Sequence, residues 1–143
     1  MITFAITSHC LTVTHLDNTG EIVFDRLFIE RALPRDKTIA AVRGAPVLND
    51  ATLDDARYVG LTDVVRTIDN GSDAPGTLLD DCSADFLKAF WDADVIIAKG
   101  QGNYETLSDV QANIFFVFKV KCPIAARSIG RPNGSWVVKP RAA

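Results

Sequence analysis

The chain has 143 residues, 48% of them hydrophobic and 23% charged, with a formal net charge of −3 and a pI near 5.2. That is room for one domain with a substantial core and excludes long disorder. An acidic chain also lacks the surface that grips nucleic acid or anionic membrane without sequence preference, so neither is expected as a partner. Cys10, Cys82 and Cys122 are widely spaced and form no CxxC pair. They exclude a disulfide framework and a zinc ribbon, and fit a reducing, cytoplasmic setting. No lysine or arginine precedes Arg26, so the start lacks the charged end of a signal peptide. No apolar run approaches the roughly 20 residues of a membrane helix.

In chain order, Thr3 to Ile6 reads as extended, although residues 1–10 as a whole stay unassigned. Leu11 to Leu16 is a β-branched apolar run and the first clear strand. The apolar positions Ile22, Val23, Leu27 and Phe28 recur near a period of 3.6, which predicts a helix over Glu21 to Arg31, ended by Pro34. Thr38 to Val42 is a short buried strand. Thr52 then caps a short helix over Leu53 to Ala56 with Asp55 at the capping-box position, and Gly60 stops it. Asp63 to Ile68 is the third strand, and Asp69 to Thr77 a long polar loop. Ser83 caps a helix to about Ala93, with Phe86, Leu87, Phe90 and Trp91 on one face. Asp94 to Ala98 is a wholly buried strand that empties into the glycine-rich turn Lys99 to Tyr104. Ile114 to Val120 is a fifth strand whose aromatic stripe belongs to the core. A short helix over 124–130 and a last strand over Ser135 to Lys139 follow, with 140–143 a frayed tail.

Alternation of strands and helices predicts an α/β fold, a three-layer α/β/α, Rossmann-like domain over 11–139 around a mostly parallel sheet. The strong polar clusters follow strand carboxyl ends, which a parallel sheet gathers on one edge.

The leading cluster is His15 to Glu21. Asp17 and Asn18 offer a carboxylate and an amide oxygen, donors that suit a hard cation, beside a helix N-terminus that suits the anion such a cation carries. The same residues with Gly20 would also serve as a helix-capping turn. Asn49-Asp50 repeats the pattern at the next strand end. Lys99, among glycines that admit close approach of backbone N–H groups, could hold an anion or stand as an exposed loop lysine. The spacing is neither a Walker A motif nor a dinucleotide fingerprint. Asp54 and Asp55 suit a helix start. Asn70 to Asp73 offers hydroxyl, amide and carboxylate groups, as long surface loops do. His9 and His15 form no catalytic pair; His15, next to the motif, reads first as a packed or solvated residue and second as a contact to substrate. Cys82 and Cys122 read as buried structural thiols.

Five ordered strings, DNTGEIVFD (17–25), RGAPVLNDAT (43–52), DNGSDAPGT (69–77), AKGQGNYETL (98–107) and KVKCPIAAR (119–127), together resemble the domain-of-unknown-function 89 family. These are the damage-control, metal-dependent phosphatases, a group that includes the ARMT-type protein-carboxylate-related enzymes. The forms DNxGE and KGQGNYE are similar to its stand-alone microbial branch. The resemblance implies a three-layer α/β domain with a divalent cation, Mg²⁺, Mn²⁺, Co²⁺ or Ni²⁺, held by Asp17, Asn18 and Asp50. It implies phosphate binding by Lys99 with Asn103 and the Asn18–Gly20 turn beside it, and Asp17, Asp50 and Lys99 as the catalytic set. Glu21 fits the motif without a fixed role.

The expected activity is hydrolysis of small phosphomonoesters, sugar phosphates or damaged phospho-metabolites, with either a metal-activated water or an aspartate as nucleophile. Family members carry a helical domain before the strand that leads to DNxGE, and here Met1 falls about ten residues before that strand. The alternative is therefore a truncated, non-catalytic module that acts by association or is inactive. Self-association or a missing helical partner domain is expected at the uncovered surface.

Overall fold

The computed structural model describes residues 10–141; the extended reading of Thr3 to Ile6 and the histidine at position 9 lie outside them. The elements are β1 (Thr12–His15), α1 (Ile22–Ala32), β2 (Thr38–Val42), α2 (Leu53–Tyr58), β3 (Arg66–Asp69), α3 (Ala84–Asp92), β4 (Val95–Lys99), α4 (Gln101–Leu107), β5 (Ile114–Lys119), α5 (Pro123–Ile129) and β6 (Trp136–Pro140). They build a six-stranded sheet in the order β3-β2-β1-β4-β5-β6. β1 to β5 run parallel and β6 returns antiparallel to β5. The chain steps outward from β1 to β3, then crosses back to lay β4 on the other side of β1. That reversal makes the carboxyl ends of β1 and β4 the switch point at which open α/β sheets leave a crevice.

Alternating side chains give the sheet two apolar faces. Val13, Ile39, Ala41, Ile96, Ala98, Phe116 and Phe118 pack with Phe86 and Phe90 of α3, Tyr104 and Leu107 of α4 and Ala125 of α5. Ala40, Val42 and Ile97 face the other way, onto Ile22 and Ile29 of α1 and Ala56 of α2. The three-layer α/β/α fold with a mostly parallel sheet is thus present. Local chemistry sets several element ends. Thr52 and Asp55 close the capping box of α2. The Ser83 side chain accepts from the Phe86 N–H at the start of α3, and Pro123 opens α5 where its missing N–H costs nothing.

The structure redraws several readings. In α1 the face is displaced: Ile22, Asp25 and Ile29 are buried, while Val23, Phe24, Leu27 and Phe28 are exposed. The helix is apolar nearly all round, so periodicity did not choose its inner face; the pairing of Asp25 described below lies on it. β3 begins later than expected because Leu61–Asp63 form a 3₁₀ turn that buries Leu61. Residues from Gln101 onward are helical as α4 rather than a continued turn. Two glycines at its boundary and a short span hid the helical period. Trp91 is half exposed at 55%, outside the core, and Cys82 and Cys122 are only partly buried. β6 reaches Pro140, and the Arg141 N–H donates to the Ile114 carbonyl at 2.7 Å, so the last strand holds the first residues of the supposed tail.

Candidate active site

Beyond β1 the chain turns sharply. The Asn18 carbonyl accepts from the N–H groups of Glu21 and Ile22, which starts α1 and returns Glu21 and Asp25 to the strand end. The loop after β2 is laid against this turn: Asn18 and Asp50 form an antiparallel bridge, the Ala51 N–H donates to the Asp17 carbonyl at 2.8 Å, and the Thr19 N–H to the Asn49 carbonyl at 2.9 Å. Two loops remote in sequence are thereby stitched by backbone, which brings Asp17, Asn18 and Asp50 together.

From β4 comes Gly100, with φ +86° and ψ 151°, a region that essentially only glycine occupies. A Cβ there would lie 2.3 Å from the Asp17 carboxyl carbon. The Asp17 carboxylate therefore rests directly on the Gly100 backbone, across the β1–β4 switch point. Gly20 is exposed, with nothing near its would-be Cβ.

Charge dominates the arrangement. Burial pushes the Asp17 carboxyl up to about 6; the negative charges of Asp50 and Glu21 push the same way, and Lys121 and Lys99 oppose them. The Asn18 amide nitrogen donates to Asp17 Oδ2 at 3.0 Å and to Glu21 Oε1 at 3.1 Å, which turns its carbonyl oxygen away from both carboxylates. Asp50 Oδ2 accepts from Arg43 Nε at 3.0 Å and lies 2.8 Å from its Nη2. Arg43 is itself buried, and its Nη1 donates to the Gly76 carbonyl.

Lys99 is not a free loop cation. Its Nζ lies 2.5 Å from Asp25 Oδ1 and 3.1 Å from Glu21 Oε2. Burial works against its charge, but the two carboxylates win and hold its pKa above the ordinary value. Burial raises Asp25 in turn, against the pull of Lys99, and its Oδ2 is buried without a hydrogen-bond partner. Burial also acts to raise Glu21, but hydrogen bonds from Lys99 and Asn18 and the charges of Lys99 and Lys121 hold it below the usual range. Asn103 is buried, with its amide spent on the Lys99 carbonyl at 2.7 Å and on Thr77 at 2.8 Å. His15 is buried too, and burial together with Arg43 brings it down to about 3. It is a packed neutral ring.

Sequence reasoning missed Asp25, Arg43 and Lys121. Asp25 was hidden on a helix that reads as apolar. Arg43 lies in the RGAP string, where its burial is a tertiary fact. Lys121, exposed near Asp17 and Glu21, belongs to the KVKC string, and the signal available was its sign: a second basic residue after a strand end.

Among the described residues no three His, Cys, Asp or Glu side chains stand close enough to enclose a metal ion. The set gathered here is the Asp17 and Asp50 carboxylates with the Asn18 side-chain amide beside them, an open hard-donor site rather than a cage. It fits a divalent cation on one observation above all. Asp17 is desolvated and stands with the Asp50 and Glu21 carboxylates, whose summed negative charge Lys121 and Lys99 only partly offset and a cation would relieve.

The model of the damage-control phosphatase ARMT1-like domain matches residues 8–137. The chain belongs to that family. A damage-control phosphatase of Pyrococcus horikoshii is 43% identical over 124 residues, 85% of this chain and 43% of the relative. One from Archaeoglobus fulgidus is 40% identical over 126 residues, 86% of this chain and 44% of the relative. An uncharacterised protein of Methanocaldococcus jannaschii is 45% identical over 130 residues, 87% of this chain and 43% of that protein. The crystal structure of a DUF89 family protein from P. horikoshii superposes with a TM-score of 0.86 at 38% identity, covering 92% of this chain and 47% of that one. The chain spans less than half the length of the curated relatives it matches. Among the described residues no helix is long and apolar enough to cross a membrane.

Proposed function

We propose that this domain is the catalytic half of a divalent-metal-dependent phosphatase acting on small phosphomonoesters, sugar phosphates or damaged phospho-metabolites. The observation that carries the reading is the meeting of Asp17, Asn18 and Asp50 at the β1–β4 switch point, with Asp17 laid on Gly100. Asp17 and Asp50, the latter through the oxygen not engaged by Arg43, would hold Mg²⁺, Mn²⁺, Co²⁺ or Ni²⁺, and Asn18 would join them once its side-chain amide turns its oxygen, in place of its nitrogen, toward Asp17. Such an ion, when bound, offsets charge on the phosphoryl group in flight.

The chain's own residues divide the remaining work. Arg43 grips one oxygen of Asp50 and fixes the direction of the other. The Asn18 amide nitrogen bridges Asp17 and Glu21 by a hydrogen bond to each. Lys121 brings a cation with no ion pair among the described residues, which suits it to meet phosphate oxygens as a point charge. Lys99, held between Glu21 and Asp25, orients Glu21. With the matched relatives named as damage-control phosphatases, the same donor set reads as a phosphatase centre.

The test is hydrolysis of para-nitrophenyl phosphate by the purified chain with each of the four cations, paired with calorimetric titration of the cation alone. Turnover and cation binding should both appear, and both should be lost in Asp17→Asn. Full turnover in that variant would sink the assignment. A second reading, a non-catalytic module that works by association, is favoured by the outward Val23, Phe24, Leu27 and Phe28 of α1. An inactive oligomer in gel filtration, indifferent to every cation, would select it.

A further inference from the structure

The string 69–77 supplies no side chain to the donor set, yet its last two residues are buried and tied to three neighbouring elements. A Cβ on Gly76 would lie 2.7 Å from the Gly102 carbonyl oxygen, so this loop is pressed against α4. The Gly76 carbonyl accepts from Arg43, and the Thr77 N–H donates to Thr106 Oγ1 at 2.9 Å. The Thr77 hydroxyl lies 2.7 Å from His15 Nδ1 and 2.8 Å from Asn103 Oδ1.

The direction of these bonds follows from the donor inventory. The Lys99 carbonyl can only accept, so Asn103 must turn its amide nitrogen toward it and its oxygen toward Thr77. Thr77 has one hydroxyl proton and must donate it to that oxygen. With its proton spent, the hydroxyl can only accept from His15, whose Nδ1 must carry a hydrogen. We propose that His15, Thr77 and Asn103 form a one-way hydrogen-bond relay that sets the Lys99–Gly100 turn and so makes all three positioning residues for the Asp17 site. Their role in turnover rests on the phosphatase reading above; the relay itself does not.

The physical case is that the turn is pinned elsewhere by the Gly100 N–H on the Val117 carbonyl at 3.0 Å and by the Lys99 ion pairs, while the relay supplies the side-chain hydrogen bond to the Lys99 carbonyl. Gly100 occupies a glycine-only conformation beneath a carboxylate, and the Lys99 carbonyl one residue earlier is where the relay ends. Outer partners that orient groups around a metal commonly matter 10- to 100-fold, roughly, in affinity or activity. Thr77 also links the two sides of the site: through the Gly76 carbonyl it meets Arg43 and hence Asp50, and through Asn103 it meets Lys99 and hence Gly100.

The experiment uses the whole chain, its Thr77→Val and Thr77→Ser variants, and long-range ¹⁵N–¹H spectra of the His15 ring. The wild type should show the Nδ1–H tautomer. Thr77→Val, which keeps the volume and loses the hydroxyl, should move the Gly100 and Asp17 amide resonances and weaken Mn²⁺ binding by about tenfold or more. Thr77→Ser should restore both. An Nε2–H tautomer in the wild type overturns the relay, as does a folded Thr77→Val with unmoved Gly100 and Asp17 resonances. The tautomer is read on the wild type, so an unfolded Thr77→Val leaves that arm decisive. A wild-type chain that binds no Mn²⁺ and hydrolyses nothing defeats the phosphatase reading, while tautomer and resonances still decide the relay.

Discussion

Asp17 packs its carboxylate on Gly100, and Asn103 hydrogen-bonds the carbonyl of Lys99, so the two side chains hold the same turn at adjacent residues. Asp17 belongs to a charged layer with Glu21, Asp25, Asp50, Lys99 and Lys121, partly open to solvent, in which Asp17, Asp25 and Lys99 are shifted up and Glu21 down, and one buried oxygen of Asp25 is unpaired. Asn103 belongs to a neutral layer beneath it, where His15, Thr77 and Asn103 are buried and bonded to one another. The difference teaches where strain can be kept. Four carboxylates and two lysines can share a strand end because a buried polar floor of mutually bonded side chains fixes the backbone that carries them.

If that division is right, substitutions in the two layers should separate activity from stability. The largest effect is expected for Asp17→Asn, on the order of 100-fold or more in turnover of para-nitrophenyl phosphate. The same change should raise the melting temperature of the cation-free protein at pH 7.5, by about 2–4 °C, because it removes a desolvated charge. A drop in both quantities would erase the distinction between the layers. Asp50→Asn is a less clean probe, since it also leaves the buried Arg43 without its anion.

The two lysines sharpen the comparison further. Lys99→Met strands Asp25, whose side chain is only 6% exposed, and should cost roughly 3–5 kcal/mol in urea unfolding. Lys121→Gln should leave unfolding within about 0.5 kcal/mol while raising KM for the phosphoester. Equal stability losses at the two positions would show that Lys99 is no more structural than Lys121.

The pH dependence is smaller and has a definite sign. Asp17 holds its proton more tightly in the folded chain, near 6, than at the ordinary 3.8. Its contribution to stability is therefore full below pH 3.8 and is lost as pH rises through 6. Without cation, the wild type should lose stability relative to Asp17→Asn between pH 4 and pH 7, measured by thermal unfolding at matched ionic strength. A gap that narrows with rising pH would contradict the buried-anion account. The smallest effect is expected on the outer side of α1, where Phe24→Gln should change unfolding by less than about 0.5 kcal/mol.

Much of this molecule is legible in its sequence alone. The β-branched run before Asp17, the apolar run before Lys99 and the capping chemistry of Thr52 with Asp55 and of Ser83 are local signals, and they located β1, β4, α2 and α3. The parallel order implied a common edge for the clusters that follow the strands. What local pattern could not supply was partnership. Asp25 and Lys99 are 74 residues apart and meet only because β4 returns beside β1. α1 is apolar on nearly every side, so a period of 3.6 could not say which residues face the sheet.

The sequence by itself determined the alternation of elements, the acidic and amide donors at the first two strand ends and the family, because hydrophobic period, turn chemistry and motif order are properties of short stretches. Only the tertiary structure decided that Lys99 is held by two carboxylates, that Arg43 is buried against Asp50, and that Asn103 faces inward to Thr77. Those are statements about which charges and hydrogen bonds close on each other. They depend on strand order and on desolvation, which no single stretch of the chain contains.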